Sequence, residues 1–242
     1  MANLDKSSDM GPARFSVVAQ FTVMGLIGAC FAAGTAWILL GNSPSILGGM
    51  CLYGVVIALA LNGVREGFAH RTIGLCNGAT IARLALVSVL VAVLLSGYAL
   101  SWAVFGLAVV AFALDGVDGW LARREGRASA FGARFDMEVD SLLALVLALL
   151  AWQSGTVGAY VVILGLPRYA FWAAQFPFPW LNGTLPERFS RKVVCVVQIT
   201  ALIAALCPLV PAQVASVFVG VAAAALIWSF WVDVRNLSGA RG

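Results

Sequence analysis

Eight stretches of this chain are each apolar over about the length a helix needs to cross a bilayer, roughly 20 residues. They run over 16–40, 45–63, 75–97, 100–124, 132–152, 156–177, 189–208 and 212–233. A water-soluble fold would have to build much of its surface from these runs, and the chain lacks the polar residues to hide them. Of its 242 residues 62% are hydrophobic and only 11% are charged, where ordinary domains carry roughly 25% charged residues. In lipid every backbone N–H and C=O must find a partner within the protein, and an α-helix supplies one for each. The expected fold is therefore an all-α integral membrane protein of about eight transmembrane helices. Turn chemistry separates the runs at Gly41-Asn42-Ser43-Pro44, Ser96-Gly97, Gln153-Ser154-Gly155, and Pro208 with Pro211.

Charge placement adds an orientation. Lysines and arginines gather in the amino-terminal segment (Lys6, Arg14), around 64–71, 122–134 and 186–192, and near the carboxyl end (Arg235, Arg241). The alternate loops near 42, 98, 154 and 210 hold no charge. By the positive-inside rule both ends and the 115–140 segment face the cytoplasm, as expected in a bacterial inner membrane. The formal net charge of +4 suits an anionic membrane surface and does not argue for nucleic acid. The polar stretch MANLDKSSDMGPARF has no small-residue cleavage site after it, so a retained cytosolic tail is expected over 1–15. Cys30, Cys51, Cys76, Cys195 and Cys207 show no paired metal spacing and read as packing residues.

Against this apolar background the segment from Asp115 to Asp140, DGVDGWLARREGRASAFGARFDMEVD, stands out with four aspartates and four arginines. Asp115 and Asp118 are three apart, and Asp136 and Asp140 four apart, so each pair shares a helical face. On an antiparallel helical hairpin both pairs can point into one crevice. Clustered carboxylates repel one another and resist desolvation, and a divalent cation with hard oxygen ligands relieves both problems. Gly119 and Gly132 leave bare backbone beside the cluster, and Arg123 follows Gly119 by one turn. Metal and guanidinium together suit a pyrophosphate.

These residues carry a resemblance. Asp115, Asp118, Gly119, Ala122, Arg123, Gly132, Asp136 and Asp140 fill every fixed position of D-x2-D-G-x2-A-R-x8-G-x3-D-x3-D. The stretch thereby resembles the CDP-alcohol phosphotransferase (CDP-alcohol phosphatidyltransferase) family of membrane enzymes. The resemblance implies a six-helix core over 72–233, preceded by a two-helix hairpin over 16–63 and followed by a cytosolic tail over 234–242. It implies a divalent-metal-dependent transferase of phospholipid biosynthesis using Mg2+ or Mn2+, two ions, with Asp115, Asp118, Asp136 and Asp140 as ligands. Asp140 is similar to the family's general base, with Asp136 beside it in the catalytic set. Gly119, Ala122, Arg123 and Gly132 would line the nucleotide and pyrophosphate pocket. CDP-diacylglycerol is the implied donor, CMP the released product, and a homodimer the implied assembly.

A second element, Asn77-Gly-Ala-Thr80-Ile-Ala-Arg83, resembles the family's P-N-x-x-T-x-x-R run with Cys76 in place of the proline. It adds Asn77, Thr80 and Arg83 to the nucleotide site; a snorkelling anchor is the other reading of Arg83. A third concerns the acceptor. Arg168 lies inside the sixth apolar run, and Arg191 and Lys192 open the seventh, aligned on Gln198 with a G-K-x-K-T-x-x-Q-like run. Val194 and Cys195 stand where that run has lysine and threonine. The three cations point to an anionic acceptor, a phosphorylated polyol such as glycerol 3-phosphate or inositol phosphate, although membrane-boundary anchoring would place them there too. Unphosphorylated acceptors (inositol, serine, choline) are the alternative. A transporter using Asp115 and Arg168, and a non-catalytic structural protein, are the rival classes; the first wants midplane charges and inverted repeats, the second a lost aspartate. The amino-terminal hairpin reads as extra packing surface or a dimer contact.

Overall fold

A computed structural model describes residues 12–67, 73–125, 129–178 and 189–239. Among these residues the protein is all-helical. The long helices are α1 (Pro12–Leu40), α2 (Ser45–Gly67), α3 (Leu75–Ser96), α4 (Trp102–Glu125) and α5 (Ala130–Gln153). A 3-10 turn (Ala159–Val161) then leads into the short helices α6 (Val162–Gly165) and α7 (Pro167–Ala174), and α8 (Phe189–Leu206) and α9 (Ala212–Gly239) complete the chain. Among the described residues four segments are long and apolar enough to cross a membrane: Val17–Leu40, Ser45–Glu66, Leu75–Ser96 and Ala212–Asn236. A further segment, Trp102–Val117, is apolar but shorter. The chain is an all-α integral membrane protein.

Helix ends fall where the turn residues stand. Gly41, Gly97 and Gly155 adopt left-handed backbone with φ of 63°, 65° and 73°, just past the ends of α1, α3 and α5. Only glycine takes that conformation without a Cβ penalty, which is why these positions stop the helices. The expected sixth span is a different matter. Over 156–177 the chain breaks into the 3-10 turn, α6 and α7, with Leu166 at φ −97° between the two short helices. Pro167 is the cause: it has no N–H to donate, and its ring would strike the carbonyl four residues back.

The chain divides into two compact units. The first comprises Met1–Ser96 and Val110–Asp140, the second Gly97–Val109 and Ser141–Gly242. In the first unit α3 is the centre: Ile81, Leu84, Ala85, Leu86, Val87, Val89, Leu90 and Val93 are all buried. Lipid tails are as apolar as these side chains, so close packing and hydrogen bonds hold membrane helices together. Small residues permit it here. A Cβ at Gly49 of α2 would collide with the carbonyl oxygen of Ser88 on α3, and the buried Tyr53 hydroxyl donates to the Gly25 carbonyl of α1 at 2.8 Å. In the second unit Leu143, Leu147 and Leu150 of α5 are buried, as are Leu164, Leu202 and Leu206 and α9's Val219 and Leu226. At the helix break Gly165 sits 2.7 Å, measured from an ideal Cβ, from the Leu145 backbone. The buried Gln198 amide donates to the Leu164 carbonyl, satisfying an acceptor beside the break.

Candidate active site

Three helices of the first unit build one polar cluster. Arg83, on α3, has no exposed surface. A buried guanidinium must be paired, and this one meets three carboxylates. Its Nη1 donates to Asp115 Oδ1 of α4 at 2.5 Å and lies 3.2 Å from Asp140 Oδ1 of α5. Its Nη2 donates to Asp136 Oδ1. The three carboxylate side chains are half-buried, 34%, 35% and 42% exposed for Asp115, Asp136 and Asp140. Asp140 is thus the most exposed of the three and has the longest contact to Arg83.

The position of α5 is set at its first turn. Ser129 precedes the helix and its hydroxyl accepts the Gly132 N–H at 3.0 Å, an N-cap contact. The same turn faces α3 closely: a Cβ at Gly132 would lie 3.1 Å from Ser129 Oγ and 3.2 Å from Asn77 Oδ1. Asn77 and Thr80 are buried on α3, and the Thr80 hydroxyl donates to the Cys76 carbonyl at 3.2 Å. Cys76, in the proline position of the motif, lies inside the first turn of α3, and the Asn77 N–H reaches back to the Gly74 carbonyl. The helix therefore starts here without the proline.

The carboxylate oxygens of Asp115, Asp136 and Asp140 can all lie within 4.8 Å of one another, close enough to share a cation. Three carboxylates on one site offer hard oxygen donors, so the residues present fit a divalent ion. Of the other expected residues, Asp118, Ala122 and Arg123 lie on the backbone of α4, and their side chains fall outside the described residues. Gly119 is on the same turn. Arg83, which its motif places at the nucleotide site, is also the cation that the three carboxylates share.

The expected acceptor residues belong to the second unit. Arg168 is half-buried at the start of α7, directly after Pro167, and Lys192 is exposed. Arg191 is held by Asp233 of α9 through two parallel contacts, Nε to Oδ2 at 3.1 Å and Nη2 to Oδ1 at 3.0 Å. Asp233 is buried while Arg191 is about one-third exposed. Sequence reasoning passed over Asp233, although a carboxylate inside an apolar run is itself a signal. His70 and the 68–72 segment around it lie outside the described residues.

Residues 74–231 match the family model for CDP-alcohol phosphatidyltransferase, and the chain belongs to that family. Over 127 residues it is 32% identical to a protein of Mycobacterium bovis named "Putative cardiolipin synthase". Proteins of the same name from two strains of Mycobacterium tuberculosis match to the same degree. The alignment covers 51% of this chain and 59% of each relative. No solved structure matches.

Proposed function

We propose that the chain transfers a phosphatidyl group from CDP-diacylglycerol to the hydroxyl of an anionic alcohol, releasing CMP, at the carboxylate cluster of the first unit. The observation that carries this reading is the convergence of Asp115, Asp136 and Asp140, from two helices, on one buried cation. The acceptor oxygen forms a bond to the β-phosphorus of the donor. The bond from that phosphorus to the CMP oxygen breaks, and CMP leaves with the electron pair. Asp140 accepts the acceptor's proton and passes it to solvent; its greater exposure and its longer contact to Arg83 support this role. Asp115, Asp118, Asp136 and Asp140 would hold Mg2+ or Mn2+, which when bound polarises the phosphoryl group and offsets charge on the departing CMP.

Gly119, Ala122, Arg123 and Gly132, with Asn77, Thr80 and Arg83, form the nucleotide side of the site in this reading, and Arg83 also organises the carboxylates. In the second unit Arg168, Arg191 and Lys192 are the candidate residues for an anionic group in this reading, and Asp233 orients the Arg191 guanidinium. The site faces the cytoplasm of a bacterial inner membrane, in a homodimer. The name of the mycobacterial relatives supports a second reading of the acceptor. Making cardiolipin by this chemistry takes a glycerophospholipid as acceptor, with a phosphodiester beside its free hydroxyl, the same anionic class in lipid form.

The test is CMP release by the purified full chain with CDP-diacylglycerol and Mg2+ or Mn2+. Acceptors would be glycerol 3-phosphate, inositol 1-phosphate, phosphatidylglycerol, inositol, serine and choline. Metal-dependent release with a phosphorylated polyol is the expected result, and release with phosphatidylglycerol alone selects the second reading. Release with only an uncharged or cationic alcohol removes the anionic-acceptor assignment. Folded protein with neither release nor metal-dependent CDP binding would overturn the function.

A further inference from the structure

The family match begins at residue 74, yet α1 and α2, which precede it, are packed against α3, which carries Arg83, and α5, which carries Asp136 and Asp140. Phe21 of α1 has no exposed surface. Its ring stands edge-on to Phe131 and Phe135 of α5, with centroids 6.1 and 6.0 Å away. Those two rings are stacked on each other at 5.9 Å and 17°. Phe131 precedes Gly132 and Phe135 precedes Asp136, so the aromatic trio grips the first turns of α5 directly beside its carboxylates. From α2, a Cβ at Gly63 would lie 3.0 Å from the Phe131 ring, so the second helix abuts the same turn.

One residue before Phe21, the Gln20 side-chain oxygen accepts the Ile73 N–H at 3.0 Å, just ahead of α3. Further along α1, Met24 Cε lies 3.5 Å from an ideal Cβ on Gly78, and a Cβ on Gly28 would lie 3.1 Å from Ile81. One face of α1 therefore touches both the helix of Arg83 and the helix of Asp136 and Asp140. In a membrane this docking gains nothing from mere burial of apolar surface, so shape and hydrogen bonding specify it.

We infer that the α1–α2 hairpin is a positioning element of the catalytic centre. Phe21 sets the placement of α5 that brings Asp136 and Asp140 to Arg83, and Gln20 fixes the start of α3. The inference rests on the proposed role of the cluster as a metal and phosphoryl-transfer site. Its lever is geometric: a displacement of about 1 Å at reacting groups lowers turnover by about 10²-fold.

The experiment uses the full chain in detergent with Phe21→Ala, the milder Phe21→Leu, and Gln20→Leu. Ile27→Ala and Ile38→Ala, on exposed positions of the same helix (64% and 83%), are controls. Three readouts are taken: unfolding temperature, Mn2+ affinity from the paramagnetic resonance of the free ion, and kcat and KM for CDP-diacylglycerol. Phe21→Ala is expected to lower kcat by about tenfold or more and weaken Mn2+ binding several-fold, with KM nearly unchanged. Phe21→Leu and Gln20→Leu should fall between it and wild type, and the controls should match wild type. If Phe21→Ala does not fold, the two milder variants decide. Folded variants with wild-type kcat and Mn2+ affinity, whatever their unfolding temperature, would reduce the hairpin to packing and overturn the inference. A wild-type chain that binds no Mn2+ would overturn the metal-site reading itself, and this inference with it.

Discussion

Arg83 is a permanent charge placed where lipid-embedded α3 offers no water, so the carboxylates are its solvent and it is theirs. Replacing it by glutamine removes the cation that holds three like charges together. Arg83→Gln is expected to lower the unfolding temperature in EDTA, and added Mn2+ should raise that temperature more than it does in wild type, because metal then supplies the missing charge. Equal metal-induced shifts in the two proteins would count against this. The carboxylates themselves should separate by role. Asp136→Asn should weaken Mn2+ binding and turnover together, while Asp140→Asn should cut turnover by about 10²-fold or more with nucleotide binding largely kept. Wild-type turnover from Asp140→Asn would remove it as the base. At the Arg191–Asp233 pair the two deletions are unequal. Arg191→Ala takes two contacts from a buried carboxylate, whereas Asp233→Ala leaves an arginine that can reach water, so the first should cost more than the second. Chemical unfolding of both single variants and the double variant measures the difference.

Helices in this protein end for local reasons and pack for non-local ones. The left-handed glycines after α1, α3 and α5 mark stops that any glycine-containing turn could announce. The interruption at Leu166–Pro167 is also local in origin, but its repair is not: Gln198, over thirty positions later, donates to the carbonyl that the break leaves behind. Gln198 is the residue on which the acceptor motif aligns, and its observed contact is to backbone. Gln198→Leu should destabilise the protein by about 1 kcal/mol, the usual range for an interhelical hydrogen bond in a membrane. Pro167→Ala in the same background should restore part of the loss by letting the helix continue. A Gln198→Leu protein as stable as wild type would show that the carbonyl finds another donor.

As a whole molecule the chain is embedded, and its charge pattern makes a claim that intact cells can check. In a cysteine-free background, Ser43→Cys sits in one uncharged loop, Gln153→Cys at the end of α5 beside another, and Arg124→Cys at the charged end of α4. A membrane-impermeant maleimide applied outside should label the first two and not the third, with labelling of the third only after permeabilisation. The opposite pattern would invert the proposed orientation and put the carboxylate cluster on the far side from cytoplasmic substrates.

Much of this protein is written locally. Runs of apolar residues dictate helices because lipid offers the backbone no other partner, and glycine and proline dictate where helices stop or break. The aspartate spacing put Asp136 and Asp140 on one face of α5 and marked the segment as a candidate site before any contact was known. Pairings across distant sequence could not be read this way. Nothing near Arg83 says that its guanidinium will meet Asp115, Asp136 and Asp140, because that depends on how α3, α4 and α5 are placed. Nothing near Phe21 says that it belongs against Phe131 and Phe135. Among helices that are all equally at home in lipid, apolarity does not discriminate one neighbour from another. Shape complementarity and a few buried polar contacts decide, and these exist only once the tertiary structure has formed.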